Sequence, residues 1–489
     1  LVSYLVVHGY VTDDLSFSTV LPIPKGKNLN YSDSSNYRGI ALSSIFGKLF
    51  DLFVLRRYES LLTTSNLQFG FKRGHSTSMC TMILNGNGND VYCTMLDATK
   101  AFDRVEYCKL IRSILAKRLP VIIVRFLLNI YLFQATRIAW NGCNSQRINV
   151  VNGVRQGAVL SPVLFCNYLD ELINDLQTAK YGCYIGFCFV GVLAYADDLV
   201  LLAPSANATR QMLKICDEFG ERYSVVFNAA KSKCILCLAN RPVRSYFASK
   251  PIPVFYIGGN AIQYENEWPH LGHIISVNCD DTNDIMFRRS SLIGQINNIL
   301  CNFRQVDCST KIRLVKAYCT SLYGCELWDL SNNCIENICT AWRRGIRQVW
   351  RVPNTTHSSL LPGLCETLPL RDLFYKRMLN FVYQCLNSQS PIVNFITRHS
   401  LLFGRMNSTI GRNVLSCCER YHTTINNIVN RTFLVNNIDR AVCNELEAVS
   451  SNVYMLRELI HCREGTLNLS NSSFNHYDIE QLIILVCTY

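Results

Sequence analysis

Two aspartates stand side by side in an otherwise apolar run, VLAYADDLVLLA, residues 192–203. A buried, unpaired ion there would be costly, so Asp197 and Asp198 need either an exposed position or a compensating cation. Adjacent carboxylates also repel one another, which raises the pKa of one of them unless a cation lies between them. Magnesium, a hard divalent ion that prefers oxygen ligands and keeps some of its water, suits such a pair. A third carboxylate at the end of another strand would complete a two-metal cluster. Asp97, which follows the strand-like run VYCTML, is the candidate. Either feature alone reads as a polar turn or a strand end; the chemistry is carried by the conjunction.

The elements that must hold these groups are written in the hydrophobic pattern. Residues 190–196 and 199–203 predict two apolar strands joined at Asp197-Asp198, a hairpin with both carboxylates at its tip. Residues 91–96 predict a short buried strand and residues 45–62 a helix. Asp103 and Glu106 have capping-box spacing, and Val105, Cys108, Ile111 and Ile114 follow at helical spacing. Ser161-Pro162 predicts an N-cap with proline at the first helical position, with Leu164, Tyr168, Leu172 and Leu176 on one face of the helix that follows. The uncharged stretch 181–196 falls short of the ~20 residues a membrane-spanning helix needs. It is broken by Gly182, Gly186 and Gly191, which predicts buried strands and turns instead. The segment LPIPKGKNLNYSDSSNYRGI, residues 21–40, has the composition of an exposed loop and carries Lys25, Lys27 and Arg38.

The 489 residues allow two to four domains with a large core. A formal net charge of +12 favours an anionic partner. Half of it lies in residues 286–351, where ten Lys/Arg face four Asp/Glu. Within that segment AWRRGIRQVWR places Arg343, Arg347 and Arg351 on one helix face and Trp342, Ile346 and Trp350 on the adjacent one. Such a helix could track phosphates without reading sequence. The 24 cysteines are scattered through a long chain that opens on no secretory signal, which predicts reduced core residues of an intracellular protein. Cys234 and Cys237 form a single CxxC pair, inside a strand-like run, with no second pair at zinc-finger spacing. Residues 239–253 read as a connecting segment. The chain starts at Leu1 within apolar sequence and is read as part of a longer protein.

YADD (195–198), DATKAFD (97–103), GVRQGAVLSPVLF (153–165), NYRGI (36–40) and QFGFKRGHST (68–77) together resemble the ordered motifs of reverse transcriptases, in particular the non-LTR, LINE-type retrotransposon group. NAAKSK (228–233) and HLGHII (270–275) resemble the two later motifs. The resemblance covers roughly residues 1–275. It implies an α+β fold, the right-hand polymerase, with fingers in 1–90, a palm with its primer-grip hairpin in 91–280, a helical basic thumb in 281–351, and a helix-rich C-terminal region, 352–489, whose role it leaves open. It implies that Asp97, Asp197 and Asp198 hold two Mg2+ ions, with Mn2+ as an alternative, and catalyse nucleotidyl transfer to a primer 3′-hydroxyl.

The resemblance assigns further residues. Phe102 occupies the sugar-gate position and would exclude a ribose 2′-hydroxyl. Lys25 and Arg38 would contact the triphosphate. In Arg155-Gln156-Gly157, Gln156 would line the nucleotide pocket or contact the template, and Gly157 would admit backbone closely. Lys231 would lie near the pyrophosphate, with Lys233 as a competitor for that assignment. Leu271-Gly272 would belong to the hairpin that grips the primer. The implied partners are an RNA template, a DNA primer and dNTPs, with no membrane. The implied location is the nucleus or a cytoplasmic ribonucleoprotein. Cys417, Cys418, His422 and Cys443 lack the spacing of the family's C-terminal zinc knuckle, so no structural zinc is expected.

Two departures stand out. Gly39 replaces the usual proline beside Arg38, and only MCTMIL and NGNGND fill a stretch where the family places a longer helix. That shortening leaves room for a decayed, non-catalytic nucleic-acid-binding remnant as an alternative. An RNA-templated RNA polymerase is a second alternative, against which Phe102 argues.

Overall fold

Strand Val91–Asp97 is buried along six of its seven residues because neighbours flank it on both edges. In the computed structural model, which describes residues 2–26, 29–85, 90–238, 252–464 and 476–488, it is a central strand of a six-stranded sheet. The order is Phe255–Ile257, Asn260–Tyr264, Lys233–Cys237, Val91–Asp97, Asp198–Ala203, Val192–Tyr195. Val91–Asp97 runs antiparallel to both of its neighbours, with Leu199 opposite Leu96 on one side and Lys233 opposite Met95 on the other. Near-continuous Val, Leu, Cys and Ile in these strands is what a sheet covered on both faces requires. Helices Ser161–Ala179 and Ala206–Tyr223 pack on it through Leu164, Phe165, Tyr168 and Leu172, and through Met212, Leu213, Cys216 and Phe219, all buried.

A second sheet has the order Tyr37–Ser43, Phe17–Pro24, Ala135–Trp140, Cys143–Asn144, with Ile148–Asn149 also pairing with Ala135–Trp140. Tyr37–Ser43 is therefore a paired strand and not part of a loop. Ala41 faces the core, while Arg38 and Gly39 stay exposed. Helix Ile45–Tyr58 follows, its N-terminus capped by Ser44 Oγ accepting from the Gly47 amide.

The chain divides into two compact units, residues 1–80 with 89–266 and residues 81–88 with 267–489. Both sheets lie in the first. The second is largely helical and includes Thr282–Asn302, Cys334–Trp350 and Leu370–Leu386. It also contains the hairpin Glu267–His270/His273–Ser276, which sequence grouped with residues 91–280. The hairpin's strands pair only with each other among the described residues, and its buried His273 is bound to the helix that follows. No described helix is long and apolar enough to cross a membrane. The connecting segment expected at 239–253 lies outside the described residues except for its last two positions.

Two local expectations need correction. Glu106 does not complete a capping box with Asp103. It is itself the residue before helix Tyr107–Ala116, and its carboxylate binds Lys109 and the Ser224 hydroxyl instead. Ser161 is the first residue of its helix, and its hydroxyl makes no cap. The amides of Val159 and Leu160 instead donate to Asp51, at 3.1 and 3.2 Å, a carboxylate supplied by another helix.

Candidate active site

Register brings the three aspartates together. Asp198 is directly opposite Asp97 across one antiparallel pair and opposite Tyr195 across the next. Directly opposed residues of such a ladder have Cα atoms only ~4.5–5.5 Å apart. The turn between the two hairpin strands is Ala196-Asp197, with Ala196 at φ +57°, the sense of a primed hairpin turn. Asp198 thus begins a strand, and Asp197 alone occupies the turn with Ala196. Asp97 is fixed from its other side. Its amide donates to Ser232 Oγ at 3.1 Å, and its carbonyl accepts from the Asn228 amide at 2.8 Å. The stretch 228–232, within NAAKSK, therefore serves as a brace for Asp97.

The electrostatics are those of an uncompensated anionic site. Burial, then the neighbouring Asp97 charge, raises the Asp197 carboxyl above its ordinary range. Burial, then Asp197 and Asp97, pushes Asp198 up to about 6. The positive charge of Arg38 opposes both shifts. The donor set is all hard oxygen, which fits magnesium or manganese and not a soft metal. Among the described residues, no three His, Cys, Asp or Glu side chains are placed so that together they could hold a metal ion. What the backbone register provides is the proximity of the three residues, Asp198 opposite Asp97 and Asp197 in the adjoining turn. The oxygen donors of Asp97, Asp197 and Asp198 suit divalent ions by their chemistry.

Around this centre, Gln156 donates through Nε2 to Asp103 Oδ1 at 3.3 Å, and its carbonyl accepts from the Ala41 amide at 2.7 Å. The RQG loop is thereby pinned to the strand that carries Arg38. Gly157 has φ +108°, and a Cβ there would lie 3.0 Å from the Ala41 carbonyl oxygen, so only glycine fits. The half-buried Phe102 ring stacks on Phe165 with centroids 4.6 Å apart, while the Phe102 carbonyl accepts from the Val154 amide. Core packing holds the ring in one orientation, which is what a steric gate requires.

Other residues have different tasks from those expected. Arg155 is buried, and its guanidinium donates to the carbonyls of Leu15 at 2.9 Å and Ser16 at 2.6 Å, so it is a structural clamp and not a substrate contact. Lys25 Nζ donates to the Ser35 carbonyl at 2.8 Å and bridges its own loop; Lys27 lies outside the described residues. Lys233 is buried and pairs with Glu265 at 3.1 Å, whereas Lys231 is exposed on the brace beside Asp97.

In the second unit, Leu271 and Gly272 form a tight turn with φ of +49° and +79°. The Leu271 carbonyl accepts from the Tyr323 hydroxyl at 3.1 Å, and the Gly272 carbonyl accepts from Arg288. Two of the three arginines of the expected phosphate-tracking face are engaged within the fold. Arg343 pairs with Glu336; Arg347 donates to the Thr356 carbonyl at 2.7 Å and to Ser358 Oγ at 3.1 Å; Arg351 caps its helix at φ +52° through its backbone amide and keeps its side chain exposed. Arg289 and Arg344 line a groove of about 300 Å³ between helices Thr282–Asn302 and Cys334–Trp350, with Asn297 and Gln348 beside them. Neither forms an ion pair among the described residues. They are basic groups outside the face that sequence spacing chose, because the spacing identified a face but not which of its members were already bonded. Cys234 and Cys237 are buried in strand Lys233–Cys237, with the Cys234 thiol pushed up to about 12 by burial.

Comparison with known proteins places these residues in context. Residues 23–275 match the family described as reverse transcriptase (RNA-dependent DNA polymerase). The chain is 24% identical over 353 residues to the probable RNA-directed DNA polymerase from transposon X-element of Drosophila melanogaster, covering 66% of this chain and 37% of that protein. It is 24% identical over 328 residues to the RNA-directed DNA polymerase from mobile element jockey of Drosophila funebris, covering 60% and 33%. It is 24% identical over 291 residues to the Pol polyprotein of the type-2 retrotransposable element R2DM of Drosophila melanogaster, covering 57% and 27%. The matches thus span about a third of the length of these relatives. Among solved structures, apo telomerase from Candida tropicalis aligns with a TM-score of 0.41 at 11% identity, over 79% of this chain and 70% of that one.

Proposed function

The chain belongs to the reverse transcriptase (RNA-dependent DNA polymerase) family, and we propose that it is the polymerase portion of a non-LTR retrotransposon protein, a right-hand polymerase that extends a DNA primer on an RNA template. The observation that carries the reading is the register of Asp198 opposite Asp97 with Asp197 in the adjoining turn. Asp97, Asp197 and Asp198 would hold two divalent ions, Mg2+ or Mn2+. When bound, such ions supply a lowered pKa at the primer 3′-hydroxyl and neutralise charge on the triphosphate and the departing pyrophosphate.

The chain's own residues do the rest. Arg38, already acting on the aspartate pair, and the exposed Lys231 orient the triphosphate. Gln156 and Gly157 line the nucleotide pocket on the side braced by Asp103 and Ala41. The Phe102 ring, immobilised on Phe165, excludes a 2′-hydroxyl and so selects dNTPs. Leu271 and Gly272 present a rigid turn to the primer strand. Arg289 and Arg344 contact phosphates in a salt-dependent, sequence-blind manner. On this reading the chain would work in the nucleus or in a cytoplasmic ribonucleoprotein.

Primer extension on an RNA template with Mg2+ and dNTPs tests the reading. Extension that depends on Mg2+ and is abolished by Asp197→Asn supports it. Extension that survives Asp197→Asn removes that residue from the metal site, and no extension by the parent chain favours a nucleic-acid-binding remnant.

A further inference from the structure

Gln68 is buried without any exposed surface, yet it is polar and belongs to no strand or helix. Its Oε1 accepts from the amides of Ala196 and Gly70, both at 2.9 Å, and its Nε2 lies 3.5 Å from the Ala196 carbonyl oxygen. The surrounding chain forms a short parallel bridge to the hairpin, with Gln68 paired to Ala194. There the Phe69 amide donates to the Ala194 carbonyl at 2.7 Å, and the Ala194 amide donates to the Leu67 carbonyl at 2.9 Å. Gly70 lies so close that a Cβ would fall 2.5 Å from the Ala196 nitrogen.

Ala196 is the residue immediately before Asp197 and Asp198, and it holds the left-handed conformation at φ +57°. That conformation disfavours alanine, and it persists only where the surroundings over-determine it. The two polar groups of Ala196 are bracketed by one rigid amide. The orientation of the peptides on either side of Ala196 is therefore fixed, and with it the direction in which the Asp197 side chain leaves the backbone. Small displacements of a catalytic group are costly: about 1 Å reduces rate on the order of a hundredfold.

We propose that Gln68 is a positioning residue for the catalytic turn, setting the aim of Asp197 and Asp198 by clamping Ala196. Gln68 touches neither substrate nor ion on this account; it acts through the backbone of Ala196. The inference rests on the reading of Asp197 and Asp198 as metal ligands and goes beyond it by naming what holds them in place.

The test compares Gln68→Met and Gln68→Glu with the parent chain. Methionine keeps the volume and removes both hydrogen-bonding functions. Extension by Gln68→Met should fall in kcat by about tenfold or more, with RNA affinity and KM for template-primer unchanged. The Mg2+ concentration that half-saturates thermal stabilisation should rise several-fold, a readout independent of turnover. A neutral carboxyl in Gln68→Glu reproduces one acceptor and one donor, so its activity relative to the parent should be retained at mildly acid pH and lost as pH rises. That variant carries the test if Gln68→Met does not fold.

Gln68→Met with the parent's kcat and Mg2+ midpoint overturns the proposal. So does a uniform loss of stability and RNA affinity without a selective fall in kcat. Asp198→Asn separates the two levels. If it keeps extending primers, the metal-site premise falls; if it is inactive while Gln68→Met matches the parent, only the clamp falls.

Discussion

Replacing Asp198 with asparagine should stabilise the metal-free protein while removing its response to magnesium. Burial, Asp197 and Asp97 raise the Asp198 carboxyl from 3.8 to about 6. A raised carboxylate pKa means the folded state binds more protons than the unfolded one between pH 3.8 and about 6. Folding stability is therefore lost as pH climbs through that window, and the whole penalty is present at pH 7.5. A shift of roughly two units corresponds to ~3 kcal/mol at the ceiling. Asp198 remains exposed to solvent, which screens much of this. On the order of 1 kcal/mol survives, and this corresponds to about 2–4 °C in melting temperature for a unit of this size.

Scanning calorimetry in EDTA at pH 7.5 should thus show Asp198→Asn melting a few degrees above the parent. Saturating Mg2+ should reverse the order, because the ion binds the folded parent and stabilises it by mass action. At pH 4.5 without metal, where the folded parent's carboxyl is mostly protonated, the gap should narrow, closing only below pH 3.8. An asparagine variant that melts below the parent in EDTA, or that gains as much as the parent from Mg2+, would refute the reasoning that burial and neighbouring charge hold this carboxyl up.

Three further outcomes are expected. Phe102→Val should relax sugar discrimination by about 10–100-fold, measured as the ratio of kcat/KM for dNTP over rNTP; an unchanged ratio removes Phe102 as the gate. Arg155→Met should cost on the order of 3 kcal/mol in urea unfolding, by leaving the Leu15 and Ser16 carbonyls unpaired, without a selective rise in KM for nucleotide. The hairpin of the second unit should have a bounded pH range. His273, raised to about 9 by Asp281 and Asp284 against the opposing effect of burial, contributes stability that is complete below 6.5 and lost as pH rises through 9. Buried His270, lowered to about 4, makes stability fall again as pH drops below 6.5. Melting temperature against pH should lose its alkaline shoulder in His273→Asn.

The candidate constellation was legible because backbone pairing alone produces it. An apolar run interrupted by two acids predicts a hairpin, a second apolar run ending in an acid predicts a neighbouring strand, and the ladder register does the rest. The six-stranded sheet and its two covering helices follow from the same periodicity. Capping was less legible because its partners are remote. Asp51 serves the loop before Ser161 from 108 residues away, and nothing in the local pattern around Ser161 announces it. NYRGI was read as loop because its glycine, asparagine and preceding serines suggest one. It is a strand because Pro22, Ile23 and Pro24 of the neighbouring strand offer it a partner.

The basic residues mark the limit most clearly, because charge does not say what a guanidinium is bonded to. Arg155 and Arg347 both donate to main-chain carbonyls of their own unit, and each satisfies acceptors that helix and sheet leave open. A guanidinium presents five donors on a long stem, so folding can use it as a brace wherever loops expose carbonyls. Three arginines at four-residue spacing were therefore a sound prediction of a helix face but a weak one of a binding face. Arg344 stands one position after Arg343 and points into the groove by the neighbouring helix, whereas Arg343 is held by Glu336. If phosphate binding follows open donors and not sequence spacing, Arg344→Ala should reduce the slope of log affinity for RNA against log salt by about one unit's worth of phosphate contact. Arg347→Ala should leave that slope alone and lower the melting temperature, since what it loses is the Thr356 carbonyl's partner. Equal effects of the two on the salt slope would return the assignment to the face that sequence spacing chose.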